Sequence, residues 1–284
     1  MLGAIIGDMV GSIYEFDPIK SKEFDIFNKR MHMTDDSYLT LAVAKVLMNH
    51  HPINYSKESL EDIKKDLIKE FALTYKKYPH AGWGTNFSYW CREACLKGTA
   101  KPYNSCGNGS AMRISPVGWI ANSETEVKLL SKAVSEISHN HPEGIKGAEA
   151  VALSIYLARI GKTKEEIKRR ITCDYYPEIE SFNFNDLVKH YEFSELCQES
   201  VPQAIYCFLI SDSLEDTIRN CVAIGGDCDT TGAIAGSIAE AYYQKSSISE
   251  LERKYLNERI DSESLDIIAR FYKLVNNKMY NKNK

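Results

Sequence analysis

Along nearly every readable stretch of this chain apolar residues return at every third or fourth position, and runs alternating apolar with polar residues are scarce. That period belongs to helices, so the chain is expected to be all-α. Over residues 35–48 the stripe runs through Leu39, Ala42, Val43, Val46 and Leu47, with Thr34 placed to cap it. Residues 56–69 carry Leu60, Ile63, Leu67 and Ile68 on one face. Ser123 and Glu126 have the capping-box spacing ahead of Val127, Leu130, Val134 and Ile137. Thr163 and Glu166 repeat it before a short helix ending near Arg170. Residues 147–160 are alanine-rich, as a buried helix would be. Gly232, Ala235, Gly236 and Ala239 are small enough to let neighbouring helices come close, and residues 262–275 form a last amphipathic helix. The aromatic and acidic stretch 172–195 predicts a long loop packed by its own rings, with short helical turns.

A chain of 284 residues can bury a large core, and no low-complexity linker or repeat divides it. A single domain over residues 1–284 is therefore expected, with a monomer as the default state. A net charge of -4 argues against non-specific nucleic-acid binding, which needs a basic face. No apolar run approaches the roughly 20 residues that span a bilayer. The opening Met1–Asp8 lacks a basic leader, so no secretory signal is expected. Eight cysteines without a CxxC pair point away from structural zinc and toward reduced thiols in a cytoplasmic protein.

Two acidic clusters carry the chemistry. Thr34-Asp35-Asp36-Ser37 puts two carboxylates in a first helical turn, where the helix dipole favours anions. Gly225-Gly226-Asp227-Cys228-Asp229-Thr230-Thr231 sets alternate oxygens along a tight turn into another helix. The first cluster by itself also fits an ordinary acidic helix start. Brought together, the two would repel strongly without cations, and oxygen ligands suit magnesium or manganese. Near Asn108, glycines expose backbone N–H groups that suit a phosphate, although Gly-Asn-Gly is also a common turn. His139 and His141 sit in a polar stretch ahead of the alanine-rich helix, where orienting a ligand suits them better than holding a metal. Of the two early acids, Asp8 reads equally well as a packing or capping residue, and Glu15 is the better functional candidate.

Gly-Asp-x-x-Gly-Ser from Gly7, Thr-Asp-Asp-Ser from Thr34, Gly-Asn-Gly-Ser-Ala-Met-Arg from Gly107, Ser-His-x-His-x-x-Gly from Ser138 and Gly-Gly-Asp-x-Asp-Thr from Gly225 occur together and in this order. The chain thereby resembles the ADP-ribosylglycohydrolase family, which includes the dinitrogenase-reductase-activating glycohydrolases, and looks most like its compact bacterial members. The resemblance runs from Gly3 to about Tyr243. It implies an orthogonal multi-helix bundle with a binuclear metal cleft holding two Mg2+ or Mn2+ ions. By that similarity Thr34, Asp35, Asp36, Asp227, Asp229 and Thr230 match metal ligands. Gly107, Asn108, Gly109, Ser110, Met112 and Arg113 match the loop that holds the ligand's phosphates, and His139 and Gly144 the segment lining ribose and diphosphate. Residues 17–30 fall where a mobile flap is expected. Ser37 replaces the more usual threonine. Cys228 stands where threonine or serine is commoner, and its thiol is expected to point away from the metals.

The implied reaction is hydrolysis of the bond between ADP-ribose and a modified protein side chain or a small ADP-ribosyl compound, with Asp36 or Glu15 taking a proton from water. Arginine is the first expectation for the linkage. Serine-linked and O-acetyl-ADP-ribose share every motif named, and a non-catalytic binding relative is the third reading.

Overall fold

The computed structural model describes residues 1–243 and 259–282 of the chain. The helices are α1 (Leu2–Gly11), α2 (Asp35–Asn49), α3 (Lys57–Lys77), α4 (Thr85–Lys97), α5 (Gly109–Met112), α6 (Ser115–Ile120) and α7 (Glu124–Ser135). They continue with α8 (Pro142–Arg159), α9 (Lys164–Asp174), α10 (Phe184–His190), α11 (Cys197–Leu209), α12 (Leu214–Ile224), α13 (Cys228–Tyr243) and α14 (Ser262–Lys282). Among the described residues no strand forms; one antiparallel bridge joins Gly107 to Leu196. The all-α expectation holds. The single domain expected for 1–284 includes residues 244–258 and 283–284, which lie outside the described ones.

The centre of the bundle is a pair of helices in backbone contact. Gly3, Gly7 and Gly11 lie every fourth residue, on one side of α1, and meet Gly236, Gly232 and Cys228 on α13. A Cβ on Gly7 would lie 2.0 Å from the carbonyl oxygen of Gly232, and one on Gly3 2.2 Å from that of Gly236. Only glycine leaves room for this approach. Glycine also lowers intrinsic helix propensity, so packing rather than local preference holds α1 together.

The expected caps form. Thr34 accepts from the Asp36 N–H, and Thr163 with Glu166 closes a full capping box at α9. At α7 Ser123 accepts from the Glu126 N–H, while the Glu126 carboxylate takes the Asn122 N–H and the Tyr55 hydroxyl instead. The 172–195 stretch resolves into the end of α9, a 3-10 turn over Pro177–Ser181, α10 and an extended tail. The segment expected as a mobile flap is strapped to α12: Lys20 Nζ donates to Tyr191 O at 2.6 Å and to Ile224 O, and Lys22 pairs with Asp216 at 2.5 Å. Arg219 adds donors to Lys22 O and Phe24 O at 2.8 and 2.9 Å, so lifting this segment means breaking all of these bonds. All eight cysteines are free, and no described helix is long and apolar enough to cross a membrane.

Candidate active site

Three helices aim their acids at one place. Asp8 lies on α1, and Asp35 and Asp36 lie in the first turn of α2. Asp229 lies in the first turn of α13 rather than on an extended turn, and Asp227 just precedes it. Gly225 and Gly226, at φ +72° and +76°, make the left-handed turn that reverses the chain out of α12 and presents Asp227. Asp8 caps α2 from outside: its carboxylate accepts the Thr34 N–H at 2.9 Å, the Thr34 hydroxyl at 2.7 Å, the Ser37 N–H at 3.1 Å and the Ser37 hydroxyl. The two motifs then touch, the Thr230 hydroxyl donating to Asp36 Oδ2 at 3.3 Å across 194 positions of sequence.

The carboxylates fall into two overlapping triplets. Oxygens of Asp8, Asp36 and Asp229 lie within 4.8 Å of one another, and so do those of Glu15, Asp227 and Asp229. Asp229 belongs to both. Burial and the neighbouring negative charges push Glu15, Asp35 and Asp229 up to about 8, and hold Asp36 and Asp227 well above the usual carboxylate range. Asp36 Oδ1 is buried and has no hydrogen-bond partner. An all-oxygen set with excess charge and an open acceptor fits hard divalent cations, which would neutralise that charge. Cys228 is buried in the apolar core and does not line the cleft, so its thiol does not compete.

A cleft of about 250 Å³ opens beside the acids. Asp35, Asp36, Asp227, Asp229, Thr230 and Glu15 line one side, with Met112 beneath them. Gly107, Asn108, Gly109, Arg113 and His139 also line it. Asn108 is held on both sides, its amide donating to Asp227 Oδ2 at 2.7 Å and its backbone N–H to Glu195 O at 2.7 Å. Thr34, Ser110 and Gly144 lie behind the cleft wall rather than on it. The Ser110 hydroxyl donates to Gly144 O at 2.7 Å and so ties the glycine loop to α8.

Arg113 lines the cleft from within its wall, with guanidinium Nε and Nη1 left without a hydrogen-bond partner among the described residues. It is fully buried, with its guanidinium 4.9 Å from the Phe71 ring centre and Nη2 donating to Val134 O at 3.1 Å and Ser138 Oγ at 2.8 Å. Ser138 Oγ, which accepts from Arg113, also lies within hydrogen-bond distance of His139 Nδ1, 2.8 Å away. A Ser138 hydroxyl donating there would leave the ring proton on Nε2, which lies beside Gly109. Burial and the Arg113 charge hold His139 well below its ordinary pKa, so the ring is neutral and presents one N–H donor.

Sequence reasoning passed over the rest of the wall: Gly82, Gly84, Thr85, Asn86 and Phe87 at the start of α4, then Tyr103, Ser105 and Glu195. The only sequence signal for the first group is Gly82-Trp83-Gly84, a glycine turn before a helix. Glu195 lies in the least readable segment and carried none.

The model of the ADP-ribosylglycohydrolase family matches residues 1–280. The chain belongs to the ADP-ribosylglycohydrolase family. It is a glycohydrolase enzyme, and its named relatives hydrolyse ADP-ribosyl bonds. It is 25% identical over 321 residues to ADP-ribosylhydrolase ARH3 of Bos taurus, covering 88% of this chain and 85% of that one. It is 25% identical to the ADP-ribosyl-[dinitrogen reductase] glycohydrolase of Rhodospirillum rubrum, covering 85% and 83%. It is 22% identical to the ADP-ribosylarginine hydrolase Tri1 of Pseudomonas putida, covering 86% and 69%. A solved structure titled ADP-ribosylglycohydrolase-related protein complex shares the fold at a TM-score of 0.71 and 21% identity, covering 96% and 95%.

Proposed function

We propose that this enzyme reverses ADP-ribosylation by hydrolysing the bond between ADP-ribose and a protein side chain, arginine-linked first, with two Mg2+ or Mn2+ ions in the cleft. The observation that carries this reading is the pair of carboxylate triplets sharing Asp229 at the floor of a ribose-sized cleft. The names of the Pseudomonas and Rhodospirillum relatives support hydrolysis of arginine or protein linkages. Bound there, the two ions would offset the acids and fix the ribose hydroxyls.

Asp35, Asp36, Asp227, Asp229 and Thr230 hold the cations in this reading. Thr34 joins them through the hydroxyl lone pair that the Asp36 N–H leaves free. Glu15 is half-buried at the cleft edge and makes no hydrogen bond among the described residues, which suits it to accept the proton of the attacking water. Asp36, fixed by Thr34 and Thr230, is the second candidate for that step. The Gly109 N–H and His139 Nε2 face the diphosphate and orient the anomeric carbon, while the Gly107 and Asn108 N–H groups are held by Ser105 Oγ and Glu195 O. Ser110, Gly144 and Arg113 keep that loop and His139 in place. The enzyme acts as a cytoplasmic monomer, a single domain throughout.

Release of ADP-ribose from an ADP-ribosyl-arginine peptide, abolished by chelation and restored by Mg2+ or Mn2+, tests the reading. Turnover that survives chelation would overturn the metal dependence. The ARH3 relatives match at 24–26% identity, at least as well as the arginine-named one, and their name carries no linkage. Serine-linked and O-acetyl-ADP-ribose therefore stand as the second reading, separable with a substrate panel. The retained acids count against a non-catalytic binder.

A further inference from the structure

The open end of the cleft carries a charge that neither triplet uses. Glu195 lines the cleft but belongs to neither carboxylate group. It is exposed, and its carboxylate has no hydrogen-bond or ion-pair partner among the described residues. Its backbone, by contrast, is fixed: Glu195 O accepts the Asn108 N–H at 2.7 Å, and the next residue forms the bridge to Gly107. A rigid main chain therefore presents a free carboxylate. Its charge adds to the negative field acting on Glu15 and Asp35.

Aromatic surface lies beside it. Phe193 lies two residues before Glu195 in the same non-helical segment. Its ring packs 6.0 Å from that of Phe16, the neighbour of Glu15. Phe16 is 82% exposed and Phe193 45%. Scattered exposed phenylalanines are ordinary, but here two meet, one adjoining Glu15 and the other two residues from Glu195, both of which line the cleft. The basic residues lining the cleft are Arg113 and His139, both buried, so no side-chain cation balances this corner.

A free carboxylate with aromatic rings close to it in sequence matches one leaving group among the linkages considered. A guanidinium is planar and permanently charged, takes a carboxylate in a two-pronged hydrogen bond and stacks on aromatic faces. A serine oxygen or an acetyl ester offers neither charge nor fork. We propose that Glu195, with the Phe16–Phe193 pair, receives a cationic leaving side chain and selects arginine-linked over neutral ADP-ribosyl linkages. This rests on the hydrolase reading above and names the substrate class of the same cleft.

The test compares kcat/KM on an ADP-ribosyl-arginine peptide with that on O-acetyl-ADP-ribose for the wild type, Glu195→Gln, Glu195→Asp and Glu195→Lys. The arginine-to-acetyl ratio is expected to fall about tenfold in Glu195→Gln and further in Glu195→Lys, mainly through KM, with Glu195→Asp recovering part of it. Phe193→Ala should lower the same ratio by about threefold. A ratio unchanged within about twofold overturns the proposal, as does an equal loss on both substrates, which would mark a general catalytic role. A wild type that cleaves only the acetyl ester overturns this inference and leaves the hydrolase reading intact. A wild type inactive on both substrates with metal present removes that reading itself.

Discussion

The two walls of the cleft are built by opposite means. The acidic wall consists of side chains on helix starts, locked to a helix pair whose backbones touch at Gly3, Gly7, Gly232 and Gly236. The facing wall is mostly loop: the glycine turn before α4, the 103–109 strand-like stretch and the extended tail at Glu195. The first wall brings carboxylates together against their repulsion and so needs rigidity. The second needs exposed N–H groups and small residues, which loops supply. Charge is concentrated on the stiff wall and shape on the soft one.

The sharpest way to break that contrast is on the acidic wall. Asp36→Asn keeps the shape and removes one charge, and it is expected to lower kcat by about 10³-fold. Steady-state rates alongside calorimetric Mg2+ titration check this, and wild-type turnover with metal still bound would take Asp36 out of the mechanism.

The helix pair beneath offers the next effect in size. Gly7→Ala forces a Cβ into the Gly232 carbonyl and is expected to cost about 3 kcal/mol in urea unfolding. Gly84→Ala, on the soft wall with nothing within 4 Å of its Cβ, is expected to cost less than about 1 kcal/mol. Equal losses would erase the distinction between the walls.

Acid crowding also sets a pH dependence for the metal-free protein. Glu15, Asp35 and Asp229 titrate near 8 in the fold but near the ordinary carboxylate range when unfolded, so the folded state binds more protons between those limits. Stability is then fullest below about pH 4 for these groups and is lost as pH rises toward about 8, for a Tm fall of roughly 5 °C. Thermal melts in chelator across that range should show the fall, and saturating Mg2+ should cancel it. A Tm that rises with pH in chelator would contradict this account.

The smallest expected effect lies on the soft wall. Ser138→Ala removes the hydroxyl that bridges Arg113 and His139 and should weaken ADP-ribose binding by about fivefold, at a stability cost of about 1–2 kcal/mol because buried Arg113 loses an acceptor. Ser138→Thr should restore the affinity, and ring-nitrogen shifts should report the proton leaving Nε2 in Ser138→Ala alone.

Much of the fold was legible because amphipathic helices announce themselves. Residues 35–48 match α2, and the capping patterns mark the starts of α7 and α9. The helix expected over 56–69 runs on to Lys77, carried by Phe71 and its neighbours into the core. Other helices gave weaker signals. In α1, glycines at every fourth position lower propensity, and its partner surface lies more than two hundred residues away. In α11, Pro202 interrupts the pattern. In α12 a Ser213 cap and a stripe through Leu214, Ile218 and Val222 were readable but went unread.

The site divides in the same way. Its acids were legible because carboxylates beside a helix cap or a double glycine are conspicuous wherever they occur. Arg113 lines the cleft, but nothing local shows that its guanidinium is fully buried and holds Ser138 beside His139. Asp8 was underweighed, since nothing local shows that it caps a helix starting 27 positions on and sits within reach of Asp229.

By itself the order of residues determined the helical class and the acidic, oxygen-donating character of the centre, because periodicity, caps and ligand chemistry are properties of short stretches. Only the folded chain decided which oxygens share a position, which side chains are buried in the wall, and that Glu195 lines the cleft without a partner among the described residues. Those facts depend on distances between residues remote in sequence, and two helices in backbone contact, α1 and α13, set the most important of them.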